Sequence, residues 1–140
     1  MFIRRIKMNS KKIFIACLIF VIAAFSISLI SATTQVTINE INFTIPDGYF
    51  KSDDGSIIAD MFSMEYYENS EGKTLSFGVT QGNSHSLDSL KDSGYVDKTI
   101  ANKQGVLYKG WEDVTFAYMD GDKLVKIIAP DEATIEIVLS

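Results

Sequence analysis

The chain has 140 residues, 46% of them hydrophobic and 22% charged, with one Cys, one His and two Pro. That length holds one ordinary domain, and the apolar content excludes wholesale disorder. A lone Cys makes no internal disulfide and no thiolate metal site, one His removes most imidazole chemistry, and no pattern calls for a cofactor. The formal net charge of −5 conceals a split. Residues 1–32 carry Arg4, Arg5, Lys7, Lys11 and Lys12 and no acid, whereas the remainder holds all 18 Asp and Glu against 8 Lys, a net of −10. An acidic body offers no counterion-releasing surface to nucleic acid and no basic patch to anionic lipid, so neither is an expected partner of the domain.

From Ile13 to Ile30 only Ser26 and Ser28 are polar, and no charge follows until Glu40. As a helix rising ~1.5 Å per residue this run would extend about 27 Å, close to the ~30 Å hydrocarbon layer. The cations all precede it, which predicts a cytoplasmic N-terminus and a domain outside. Two readings share these facts: a signal anchor kept as a transmembrane helix over about 13–30, or a signal peptide cut after Ser31-Ala32. Met8 offers a second start, with the leader Met8-Asn9-Ser10-Lys11-Lys12. A buried core helix fits badly, because a helix on a soluble domain carries a polar stripe and this one has none. Cys17 has about thirteen apolar residues after it, so it reads as a helix residue rather than a lipidation site. The expected address is the cell membrane, single-pass with the domain outside, or secretion.

From Thr33 the pattern is two-residue alternation between turns, the mark of half-buried strands. Val36–Ile45 predicts a strand or a short strand pair with Ile41, Phe43 and Ile45 on one face, stopped by Pro46-Asp47-Gly48. Ser52–Ser56 reads as a loop. Ile57–Tyr67 then predicts a strand with Phe62, Met64 and Tyr66 alternating against Ser63, Glu65 and Tyr67. Asn69–Gly72 forms a hairpin connection, and Thr74–Thr80 returns with Leu75, Phe77 and Val79 on one face. Ser86–Ser93 predicts a short helix capped by Ser84 or Ser86 and ended by Gly94. Strands follow at Tyr95–Ala101 and Val106–Tyr108 around a polar turn at Asn102–Gly105. A hairpin joins Val114–Met119 to Lys123–Ala129 through Asp120-Gly121. The last segment is open: Pro130-Asp131-Glu132 starts a helix, yet Thr134, Ile135, Ile137 and Val138 favour a strand, with helix the preferred reading. The fold class is therefore α+β, a predominantly antiparallel sheet of five to seven strands with one or two short helices covering one face, over residues 33–140, preceded by an N-terminal hydrophobic helix.

Ile41-Asn42-Phe43-Thr44-Ile45-Pro46-Asp47-Gly48-Tyr49 resembles the opening of small exported proteins of unknown function in methanogenic archaea. Phe116-Ala117-Tyr118-Met119-Asp120-Gly121-Asp122-Lys123-Leu124-Val125 resembles their closing hairpin. The element order is also similar to the Mog1/PsbP-like α+β sandwich. Neither resemblance implies catalytic residues, and a fold does not by itself imply a function.

Several residue groups invite a chemical reading. His85 between Ser84 and Ser86 lacks the spatial separation a triad needs and reads as an exposed residue at a helix entrance. Asp53-Asp54-Gly55 and Asp120-Gly121-Asp122 lack the alternating ligand spacing of a calcium loop and read as turns. Asn42-Phe43-Thr44 matches a glycosylation acceptor. Among Tyr66, Tyr67, Tyr95, Tyr108, Trp111 and Tyr118, most are expected as core or cross-strand partners. Trp111, in the loop Gly110–Asp113, and Tyr67 are the candidates for ligand or partner contact, although a large aromatic such as Trp111 is expected in the core of a small domain. The function expected is a membrane-tethered or secreted accessory or binding domain of the cell envelope with no catalytic chemistry evident. A carboxylate-based enzyme using Glu65, Glu112 or Asp113, and a calcium-dependent adhesive module, are the alternatives.

Overall fold

A computed structural model of the chain describes residues 34–58 and 62–140. The anchor or signal peptide expected over 1–32, with its hydrophobic helix, lies outside the described residues. Among the described residues no helix is long and apolar enough to cross a membrane. In chain order the strands are β1 (Thr34–Ile38), β2 (Ile41–Ile45), β3 (Tyr49–Ile58), β4 (Phe62–Asn69) and β5 (Thr74–Gln81). Helix α1 (Ser86–Asp92) leads to β6 (Val96–Ile100), β7 (Lys103–Lys109), β8 (Val114–Asp120) and β9 (Lys123–Ala129), and helix α2 (Glu132–Leu139) closes the series. Seven strands form one antiparallel sheet in the order β3-β4-β5-β9-β8-β7-β6, and β1-β2 is a separate antiparallel hairpin. The α+β class and the predominantly antiparallel sheet hold, while the described strands number nine: seven in the main sheet, including β3 over the expected loop, and two in the separate β1-β2 hairpin.

Turn chemistry explains why so many neighbours in sequence are neighbours in space. β1 and β2 pair from Ile38–Ile41 outward, leaving Asn39 and Glu40 as the two central residues with φ of 46° and 70°. Two consecutive left-handed residues make the turn whose twist suits a hairpin. The same geometry recurs at Ala101-Asn102, so the β6–β7 turn is two residues long and Lys103–Gly105 belong to β7 rather than to a polar loop. At the β8–β9 hairpin Asp120 pairs with Lys123, so the central residues are Gly121-Asp122, one place later than Asp120-Gly121. Only Gly121 there needs a positive φ, 62°. Ser52–Ser56 is not a free loop: it lies inside β3, where the register with β4 shifts between Ser52 and Ile57. The extra residues bulge the edge strand, and a bulge discourages edge-to-edge pairing.

One sheet face carries the main core. Leu75, Phe77 and Val79 of β5, Phe116 and Tyr118 of β8, and Val125, Ile127 and Ala129 of β9 point to it, each at most 3% exposed. Ile41, Phe43 and Ile45 of β2 pack on this face as the alternation predicts, with the Phe43 ring 4.5 Å from that of Phe77. Ile135 and Val138 of α2, three apart and so on one side of the helix, complete the layer. Their burial and the cap at Asp131 outweigh the strand preference of the β-branched residues. Asp131 accepts hydrogen bonds from Thr134 N and Thr134 Oγ1 at 2.8 and 2.6 Å, and Pro130 stands before the cap rather than inside the first turn.

β4 takes the opposite phase from the one its apolar residues suggest. Ser63, Glu65 and Tyr67 face the core and Phe62 is 37% exposed. The Asn69–Lys73 turn sets Tyr67 opposite Leu75 and Glu65 opposite Phe77, so the strand follows β5, whose own inward face is wholly apolar. The helices lie on opposite faces rather than on one. α2 packs with β2 and β9, whereas α1 lies against β7 and β8, where the outward-facing Val106 and Ala117 are fully buried. His85 occupies the N-cap position of α1 without a side-chain cap bond. Ser86 Oγ instead accepts from Asn83 N, so neither Ser84 nor Ser86 caps the helix as expected.

Candidate functional site

Three connections meet at one end of the sheet. The register carries Tyr66, Ser76, Ile128, Thr115 and Tyr108 across five adjacent strands in one row, and just beyond that row the chain turns. The β4–β5 turn, the β7–β8 loop and the start of α2 therefore share a rim. Between them lies a cleft of about 420 Å³ lined by Gly72, Lys73, Thr74, Glu112, Asp113, Pro130 and Asp131.

Each wall has a local cause. Asn69 Oδ1 accepts from Glu71 N and Lys73 N and folds the β4–β5 turn, and Gly72 supplies the left-handed residue at φ 79°. In the β7–β8 loop Gly110 N donates to Asp113 O at 2.8 Å, which holds the loop to four residues. A Cβ on Gly110 would stand 3.0 Å from Asp113 Oδ1, so the carboxylate folds back toward the loop start. Asp131 is held below its ordinary pKa, first by the Thr134 hydroxyl and then by the Thr134 backbone N–H, with Lys73 adding a favourable charge. The Tyr49 hydroxyl is raised by burial and by the charges of Asp131 and Glu71.

Trp111 stands at the lip, fully exposed at 105% of its reference area, in a shallow depression of about 350 Å³ formed with Tyr108, Lys109 and Gly110. The expectation of a buried Trp111 is corrected: the tight Gly110–Asp113 bond leaves the indole outside the sheet with nothing to pack on. Tyr67 goes the other way. It is 5% exposed, its ring lies 5.3 Å from Phe77, and its hydroxyl donates to Glu65 Oε2 at 2.7 Å. The structure therefore brings Trp111 to the rim and places Tyr67 in the core.

Glu65 does not join Glu112 and Asp113. Its carboxylate sits on the core face, taking Tyr67 Oη on one oxygen and Lys51 Nζ at 3.2 Å on the other. Beside it a small cavity of about 100 Å³ is lined by Thr37, Ile38, Asn39, Ser63 and Glu65. The Tyr67 phenol is raised well above its ordinary value by burial first, then by its bond to Glu65 and the Glu65 charge. A buried carboxylate with two charge-assisted or hydroxyl partners is a satisfied structural group.

Among the described residues no cluster of three or more His, Cys, Asp or Glu is arranged to hold a metal ion. Asp122 is instead engaged by Gln81 Nε2 at 3.1 Å. His85 is exposed, as expected. The sequence singled out Trp111, Glu112 and Asp113 but missed Lys73 and Asp131, which join them only because β5 and β9 are adjacent. Asp131 carried a visible signal, its helix-start pattern after Pro130, which reads as capping rather than as a cleft wall. Comparison with protein-family descriptions, with curated proteins and with solved structures finds no match.

Proposed function

We propose that the chain is a small accessory domain of the cell envelope, tethered by its N-terminal apolar run or released by cleavage, that binds a partner through the rim. The observation that carries this reading is Trp111, a fully exposed indole in the loop whose next two residues, Glu112 and Asp113, line a charged cleft. An exposed Trp forgoes the large burial gain open to an aromatic of its size, and such residues anchor contact surfaces. The basic start, the uncharged run from Ile13 and the acidic body support an address outside the cytoplasm.

The cleft has carboxylates on two sides, Glu112 and Asp113 facing Asp131, which is what a carboxylate-based hydrolase would need. Acid–base work requires one partner to carry a proton near neutral pH. Asp131 is pulled the other way by Thr134 and is committed to capping α2, so it does not serve as the proton-carrying member of such a pair.

Fractionation of cells making the full chain tests the address. The expected result is recovery in the membrane pellet after an alkaline carbonate wash, or in the medium with a shortened N-terminus. Protease added from outside should digest the folded part. Recovery of the intact chain in the cytosolic supernatant, protected from that protease, would sink the proposal.

A further inference from the structure

The end of the sheet that carries Trp111 is also the end at which the described chain begins. Thr34 pairs with Ile45, and four residues later Tyr49 pairs with Asn69, where the β4–β5 turn starts. Thr34 therefore leaves the β1-β2 hairpin toward the end of the domain that carries the β4–β5 turn. In sequence, Ile30 ends the apolar run four residues before Thr34. A fully extended chain of that length reaches at most about 14 Å. If the run is embedded in a bilayer, that reach is the longest distance at which Thr34 itself can stand from the end of the run.

The rim is suited to a lipid surface. The Trp111 indole combines an apolar body with one polar N–H, the chemistry that concentrates at the level of lipid headgroups. Phe50, 60% exposed, lies toward the same end, opposite Glu68 and next to Tyr49. Five strand spacings separate its strand from β7, so the two rings flank a span of roughly 24 Å at ~4.8 Å per strand. Between them Lys73 stands among Glu71, Glu112, Asp113 and Asp131. A rim with both signs and an acidic excess meets zwitterionic headgroups, with their paired ammonium and phosphate, better than anionic ones.

We propose that this rim is a membrane-contacting face, in which Trp111, assisted by Phe50, inserts into the headgroup layer of zwitterionic lipid. The inference rests on the tethered form of the function proposed above and names its partner as the lipid surface. Contact at the rim would hold the opposite end of the sheet, with the Gly121-Asp122 turn, away from the membrane.

Trp111 is the only Trp in the chain, so it reports its own surroundings. The full chain is reconstituted into phosphatidylcholine vesicles with and without lipids brominated just below the headgroup, and flotation and Trp emission are read together. Co-flotation, with emission shifted to the blue and quenched in the brominated vesicles, is the expected result, with weaker quenching when anionic phosphatidylglycerol replaces much of the phosphatidylcholine. Co-flotation with equal emission in plain and brominated vesicles overturns the rim contact and leaves the tether standing. Failure to float overturns the tether and the rim contact together. Equal or stronger quenching on the anionic surface overturns the preference for zwitterionic lipid.

Discussion

Tyr67, Glu65 and Lys51 show how one buried charge is made tolerable. A carboxylate facing the core costs several kcal/mol unless its oxygens are occupied. Here one oxygen takes the Tyr67 hydroxyl at 2.7 Å and the other takes Lys51 at 3.2 Å. Removing the hydroxyl leaves one oxygen of that carboxylate without its Tyr67 partner. Tyr67→Phe is therefore expected to lower unfolding stability by about 1–3 kcal/mol in urea titration, despite preserving the ring contact with Phe77. Double substitution with Glu65→Leu should cost less than the sum of the two single changes, because the orphaned charge is then gone. A result in which Tyr67→Phe is neutral would mean that Glu65 is satisfied by other groups. The alternation around Glu65 was legible in the sequence, but its phase was not. Phe62, Met64 and Tyr66 look like the apolar set, and only the register with β5 turns them away from the core.

At the scale of elements, the last segment illustrates competition between intrinsic preference and capping. Thr134, Ile135, Ile137 and Val138 favour strand, yet Asp131 satisfies one of the first free N–H groups, that of Thr134, and starts α2. Asp131→Ala is expected to cost about 1 kcal/mol near neutral pH, read as a lowered thermal midpoint. The sign of its pH dependence follows from the depressed pKa. The contribution is present above the ordinary carboxylate value of 3.8 and is lost as pH falls through the lower folded value, because the protonated group is a weaker acceptor. The gap between wild type and variant should therefore narrow in acid, and a gap constant down to low pH would contradict the charge component of the cap. Gly105 marks a different constraint. A Cβ there would stand 2.1 Å from Ala117 O, so β7 and β8 approach at this position only because the side chain is missing. Alternation assigned Gly105 to a turn, since nothing in the sequence announces a close neighbour twelve residues away across the β7–β8 loop.

The whole molecule buries Tyr67 and Tyr118 on the same side of the sheet, at 5% and 3% exposure. Tyr118 is pushed up to about 12, by burial first and then by the charge of Asp120, and Tyr67 is raised further still. Both are raised above the ordinary value of 10.0, so the unfolded chain releases these protons at lower pH than the folded one. Stability from the neutral phenols is complete below pH 10 and is lost progressively as pH rises above it. Equilibrium unfolding followed between pH 9 and pH 12 should show a steepening loss that Tyr67→Phe reduces. A flat profile over that range would mean that both phenols ionise as readily in the fold as outside it.

Composition and alternation alone predict an acidic α+β body built on a predominantly antiparallel sheet of five to seven strands. They also place most of the hairpins, because strands joined by short turns pair locally and their residue preferences are local. What required the tertiary structure is everything set by non-adjacent neighbours. The pairing of β5 with β9 creates the rim and brings Lys73 to Asp131, the phase of β4 decides that Tyr67 is core, and the four-residue β7–β8 loop leaves Trp111 in solvent. Side-chain type specifies how a segment bends and which face it can bury; which segments then face each other depends on closing the whole sheet at once, and no local pattern encodes that.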